Sequence, residues 1–296
     1  MTKLLVVGKT GQLASALNQL SPDFSLACHT IGRPEVDLFD EQGVFDAILA
    51  EKPSVLVNAA AYTQVDTAET DQKKAYAVNQ HAVRQMAEAA KVLDIPFIHV
   101  STDYVYDGQK QGSYLESDPT NPQGIYGHSK LAGEQDALAT HDKVIILRTA
   151  WVYSAIGKNF VKTMLNLAEI KDSLGIVADQ KGNPTSALDI AQAIFKIIIQ
   201  ITDNGWQSSY SGLYHLAGTG DTTWFGLACK TFALYSQKTS NKIPEVSAIT
   251  TADYPTPAKR PENSCLNCQK LEDTFGIRLP NWEQSLEKCI HQLVES

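Results

Sequence analysis

Over its first half the chain alternates short apolar runs with segments of helical period, and few folds accommodate that rhythm. Lys3–Gly8 (KLLVVG), Ser25–Ile31, Ser54–Asn58 (SVLVN), Pro96–Ser101 (PFIHVS) and Val144–Arg148 (VIILR) read as buried strands. Helical segments are expected between them, near 11–20, 41–51, 71–92 and 125–140. Alternation of this kind builds parallel βαβ units. The expected class is therefore α/β, a doubly wound parallel (Rossmann) sheet, which binds ligands at the carboxyl ends of its strands.

After Arg148 the rhythm loosens. Helices are expected near 158–170, 187–201, 222–235 and 282–294, with short strands at 174–177 and 212–216. Tyr254–Pro261 (YPTPAKRP) suits neither helix nor central strand, because proline fixes φ and removes a backbone donor. The expected division is a dinucleotide-binding domain over 1–150, with segments returning from the second half, and a smaller C-terminal α/β substrate lobe over 151–296. The formal charge of −8 excludes nucleic acid as a partner, since phosphate binding needs a basic footprint. No run approaches the ~18–20 apolar residues of a membrane span. The N-terminus enters a strand at once without a signal-peptide layout. Five cysteines without a framework spacing suit the reducing cytoplasm, and Cys265-x-x-Cys268 stands without the second pair a zinc site needs.

Gly8-Lys-Thr-Gly11-Gln-Leu-Ala14 follows the first strand and opens the first helix. Glycines permit a sharp turn and let a pyrophosphate approach the helix N-terminus, so Gly8 and Gly11 are cofactor candidates. A phosphate loop of the GxxxxGK[ST] kind is excluded, because lysine occupies position 3. The second strand ends Ile31-Gly32-Arg33, without the acidic residue that would bond a ribose 2′-hydroxyl. Arg33 is expected to pair a 2′-phosphate, which makes NADPH the expected cofactor. The competing reading leaves Arg33 solvated, with Glu35 on the ribose and NADH as the reductant.

Tyr126-Gly-His-Ser-Lys130 places a tyrosine and a lysine four apart, on one face of a helix. A tyrosine is a poor acid or base near neutrality, and a neighbouring ammonium lowers its pKa toward a useful value. Upstream, the fourth strand ends in Ser101-Thr102-Asp103-Tyr104, with hydroxyls at the ligand-binding edge. Thr102 is a candidate to bond the substrate oxygen and to steady the tyrosine. Tyr126, Lys130 and Thr102 are thus the candidate catalytic group.

These features resemble the extended short-chain dehydrogenase/reductases, and among them the dTDP-4-dehydrorhamnose reductase family. The matching blocks are GKTGQL (8–13), Asp37-Leu38, NAAAYTQVD (58–66), STDYVY (101–106), YGHSK (126–130) and RTAWVY (148–153). NF-x-KTML (159–165), DQ-x-G-x-PT (179–185), GLYHLAG (212–218) and YPTPAKRPENS (254–264) complete the pattern. The resemblance implies reduction of the C4 ketone of a dTDP-sugar by hydride from a nicotinamide cofactor, with Tyr126 as proton donor. It places Gln12 and Leu13 along the pyrophosphate, Asp37 and Leu38 near the adenine, and Ala61, Tyr62 and Thr63 past the cofactor. It also places Asn79 against the adenine, unless Asn79 holds a neighbouring loop. Asp103, Trp151, Arg260 and Asn263 match substrate-binding positions, with Arg260 set against the diphosphate; Trp151 reads alternatively as a core aromatic and Arg260 as a surface charge. Some relatives hold magnesium at a dimer interface through glutamates. Ala16 and Leu188 stand at those positions here, so no metal site is expected, and a monomer or weak dimer is. Two other readings share these residues: another nucleotide-sugar reductase or epimerase, and a non-catalytic NADP-binding regulatory subunit.

Overall fold

The computed structural model describes residues 2–239 and 241–295. Its first half contains the five expected strands, β1 (Lys3–Val7), β2 (Ala27–Ile31), β3 (Val55–Asn58), β4 (Phe97–Thr102) and β5 (Val144–Thr149). Between them run α1 (Gln12–Leu20), α2 (Glu41–Glu51), α3 (Val65–Ala68), α4 (Gln72–Tyr76), α5 (Ala82–Leu93) and α6 (Ile125–Thr140). The helix expected over 71–92 is interrupted: a π-helical stretch, Ala77–His81, joins α4 to α5.

The second half adds β6 (Val152–Tyr153), α7 (Phe160–Ala168), β7 (Ser173–Val177), β8 (Lys181–Gly182), β9 (Thr185–Ser186) and α8 (Ala187–Asn204). There follow β10 (Gly212–His215), β11 (Thr222–Thr223), α9 (Trp224–Lys238), β12 (Glu245–Ile249), β13 (Asn263–Ser264), α10 (Gln269–Phe275) and α11 (Trp282–Glu295). The helix expected from 222 starts two residues later, because Thr222–Thr223 pair antiparallel with β8.

The main sheet is wholly parallel, in the order β10-β5-β4-β3-β1-β2. Alternate residues of each strand enter opposite cores, which explains their near-continuous apolar character. Leu4, Val6, Val57, Ile98 and Leu147 pack with α1 and α8 on one face. Leu5, Val7, Leu56, Phe97 and Ile146 pack with α2 and α5 on the other. Both β10 and α8 come from beyond residue 150, so the second half completes this sheet and covers part of one face. A separate core, centred on Tyr153, Val161, Leu227, Trp282 and Leu286, joins α7, α9 and α11.

Strand order reverses between β1 and β3, which leave the sheet centre in opposite directions. A crevice must open there, beyond the strands' carboxyl ends.

Candidate active site

The crevice is a cleft of ≈ 600 Å³ bounded by the turn after β1, the ends of β2 and β3, and the first turns of α6. Gly8 turns the chain with φ +124°, and a Cβ there would lie 3.3 Å from the backbone of Ala59 and Ala60. Only glycine suits that backbone in that space. Gly11 caps α1 without a side-chain hydrogen bond, which leaves the first N–H groups available to an anion. Gly8, Gly11, Gln12 and Leu13 all line the cleft. Its size lies within the roughly 300–1,000 Å³ of cofactor sites. A glycine cradle and an uncapped helix end are what a dinucleotide pyrophosphate requires.

At the β2 end the lining residues are Gly32, Arg33, Asp37 and Leu38. Glu35 is instead engaged by Lys9, with Nζ 2.6 Å from Oε1, and this hydrogen bond holds its carboxyl below the usual range. Arg33, an exposed residue, thus stands at the rim where Glu35 does not. Ala61, Tyr62 and Thr63 continue the wall beyond β3. Asn79 is buried behind the wall and is not among the residues that line the cleft. Its Oδ1 accepts the Tyr62 N–H at 2.8 Å, while its Nδ2 donates to the Tyr62 carbonyl at 3.2 Å and to Ser129 at 3.0 Å. With both amide hydrogens engaged, Asn79 fixes the loop that carries Tyr62.

Tyr126 lies in the first turn of α6 and Lys130 one turn later, and both line the cleft. Thr102, the last residue of β4, donates to Asp103 Oδ1 at 3.1 Å and accepts from Tyr104 N–H at 3.2 Å. Burial pushes the Tyr126 phenol up to about 12, while the Thr102 hydroxyl pulls it down and Asp103 pushes it up. The Lys130 nitrogen donates to the Val100 carbonyl at 2.7 Å and lies 3.3 Å from His99 Nε2. Burial brings Lys130 down to about 8, partly opposed by Glu134. Burial likewise raises Asp103 to about 6, against the lowering effect of Ser264 and Thr102.

The remaining candidates lie on the second-half side. Trp151 stacks on Trp224 with centroids 3.6 Å apart and planes 9° from parallel. Its φ of +49° is a strained value for a non-glycine residue, held by the indole stack and by the Thr185 N–H, which donates to the Trp151 carbonyl at 3.1 Å. Arg260 pairs with Asp66 of α3, Nη2 to Oδ2 at 2.9 Å, while its buried Nε has no partner. Both N–H groups of Asn263 are taken by backbone. They donate to the Lys110 and Gly112 carbonyls at 2.8 and 2.7 Å, and its Oδ1 accepts from Cys265 N–H. It braces the loop after β4 and is not free to grip substrate.

Further residues complete the cleft. Ser101 and Thr149 line the cleft with buried hydroxyls that lack partners. Gly157 and Lys158 reach it from the second half, where Asn159 donates to Gln12 Oε1 at 2.9 Å. The NF-x-KTML block, which begins at Asn159, was the available signal. Ala16 belongs to the apolar core between α1 and α8, and the half-buried Leu188 packs against it. Burial raises the Cys265 and Cys268 thiols to about 11 and about 12.

A doubly wound sheet with a glycine turn at its switch point and a Tyr-x-x-x-Lys helix facing it defines an extended short-chain dehydrogenase/reductase. Residues 1–295 match the family described as RmlD substrate binding domain. A dTDP-4-dehydrorhamnose reductase of Sinorhizobium fredii is 46% identical over 293 residues, 99% of this chain and 98% of that protein. The crystal structure of a dTDP-4-dehydrorhamnose reductase from Clostridium acetobutylicum aligns with a TM-score of 0.90 at 34% identity, covering 99% of each chain. One from Bacillus anthracis, in complex with NADP, aligns at 0.89 with 32% identity over 99% of this chain and 100% of that one. The chain belongs to the RmlD family of dTDP-4-dehydrorhamnose reductases.

Proposed function

We propose that this enzyme reduces the C4 ketone of dTDP-4-dehydro-6-deoxy-L-mannose to give dTDP-L-rhamnose, with NADPH as reductant. The observation that carries the reading is that Tyr126 and Lys130 face the same cleft as the Gly8–Leu13 turn, with Thr102 beside the phenol. The turn and the α1 N-terminus hold the pyrophosphate, Arg33 pairs the 2′-phosphate, and Ala61–Thr63 line the wall opposite. NADPH, when bound, supplies the hydride.

Tyr126 holds a proton that its buried setting keeps on the phenol at neutral pH, and it delivers that proton to the substrate oxygen as charge develops there. Thr102 orients the same oxygen, and Lys130 holds the cofactor ribose. The second-half lobe built around α7, α9 and α11 supplies the sugar-nucleotide site, in which Trp151 flanks the sugar and Arg260 meets the diphosphate. Asp103 adds a polar group at the sugar end.

Among the described residues no helix is long and apolar enough to cross a membrane, and all five cysteines are free; we place the enzyme in the cytoplasm. With Ala16 in the apolar core and Leu188 packed against that core, the enzyme acts as a monomer or weak dimer without bridging magnesium.

The test is oxidation of NADPH, against NADH, on dTDP-4-dehydrorhamnose by wild type and Tyr126→Phe. Turnover is expected to fall about 10²–10⁴-fold in the variant while cofactor affinity persists. An unchanged rate would overturn the assignment.

A further inference from the structure

Behind Lys130 lies a buried chain of groups that the reaction as described does not use. Asn58 Oδ1 accepts the Ala60 N–H at 2.9 Å. A backbone N–H can only donate, so this contact orients the amide and turns its Nδ2 toward His99 Nδ1, 3.0 Å away. Nδ2 also only donates, so Nδ1 must accept and carries no proton. The imidazole is then neutral, with its hydrogen on Nε2. That Nε2–H is aimed at Lys130 Nζ, 3.3 Å away.

An ammonium has no lone pair to receive it, and two N–H groups would oppose each other. A neutral amine fits: it donates to the Val100 carbonyl at 2.7 Å and accepts from His99. We propose that His99 is a positioning residue for Lys130, locked by Asn58 as the Nε2–H tautomer, which stabilises the amine and keeps Lys130 from being a fixed cation. Asn58, His99 and Lys130 are each at most 1% exposed.

The other charged groups leave this arrangement in control. Glu134, one turn along α6, favours the ammonium, but it is paired with Arg148 of β5 at 2.6 Å. Tyr126 shares the α6 face as a neutral phenol, and β3 presents only the uncharged Asn58. Burial holds His99 itself far below its ordinary value, in keeping with a permanently neutral ring. A hydrogen-bond acceptor bound in the cleft draws Nζ away from His99 and restores the ammonium. The importance of this for turnover rests on the reductase reading, whereas the ionisation does not.

Nitrogen NMR of the ligand-free enzyme, with labelled histidine and lysine, tests it. Nδ1 of His99 should be bare and Nε2 protonated from about pH 5 to 8; a proton on Nδ1 overturns the proposal. In His99→Phe the Lys130 midpoint should rise by roughly one pH unit, and in His99→Gln, which keeps an N–H in reach, it should return toward wild type. An unmoved midpoint in folded His99→Phe also overturns it, and the wild-type tautomer decides if that variant does not fold. Absence of reductase activity with these results intact would refute the proposed reaction and leave this inference standing.

Discussion

Asp66 and Arg260 lie 194 residues apart in the chain and meet side chain to side chain at 2.9 Å. Asp66 also accepts the Ala258 N–H at 3.2 Å, so one carboxylate of α3 pins the proline-rich C-terminal segment. The arginine proposed to meet the substrate diphosphate is thereby aimed by a residue from the cofactor half.

Because the pair is about one-third exposed, its own stability contribution is under about 1 kcal/mol. Asp66→Asn should therefore melt close to wild type. Its KM for the sugar nucleotide should rise about tenfold, a loss near 1.4 kcal/mol, with kcat and the NADPH KM little changed. Steady-state kinetics with both substrates decide this, and an unaltered sugar-nucleotide KM would refute the aiming role.

Gly182 lies under the Trp151 indole. A Cβ there would come within 2.6 Å of Trp151 Cε2, closer than carbon atoms approach. Gly182→Ala must push the indole from its stack on Trp224. We expect altered tryptophan fluorescence and weaker sugar-nucleotide binding, while NADPH binding measured by calorimetry is retained. Wild-type affinity for both ligands would show that Trp151 does not flank the sugar.

Arg33 borders the cleft while Glu35 is bound to Lys9. Arg33→Ala should raise the KM for NADPH at least tenfold, about 1.4 kcal/mol of a charge-assisted contact, and leave that for NADH nearly unchanged. Equal effects on the two cofactors would count against a 2′-phosphate contact.

Asp103 titrates at about 6 in the folded chain against an ordinary 3.8. For a carboxyl raised by folding, the protonated group favours the native state below 3.8, and that advantage disappears as pH rises through about 6. Over this interval the carboxylate comes to cost roughly 3 kcal/mol. Asp103→Asn abolishes the titration. Its stability relative to wild type, from urea unfolding, should therefore increase by an amount of that order between about pH 4 and pH 7, while activity drops. A pH-independent difference would mean that Asp103 is not buried as described.

The first five strands of the main sheet, the glycine turn and the Tyr126–Lys130 spacing were legible because each is a local pattern. Both-face burial writes itself as an apolar run, a tight turn as glycine, and one helix turn as a separation of four. Two-residue strands such as β8 and β11 carry no period at all, and α3 and α10 are too short to display one. That segments return to the sheet from beyond residue 150 was expected, but only the folded chain identifies β10 as the strand that lies beside β5.

The same limit separates the residues of the site. Their chemical types were readable, but their partners were not, because hydrogen-bond partnership is a matter of three-dimensional approach. Asn79 and Asn263 carry the amides a ligand could use, and tertiary packing engages them with backbone instead. Lys130 has the charge to act on Tyr126, yet the fold buries its nitrogen against Val100 and His99 of β4, contacts that no local pattern announces.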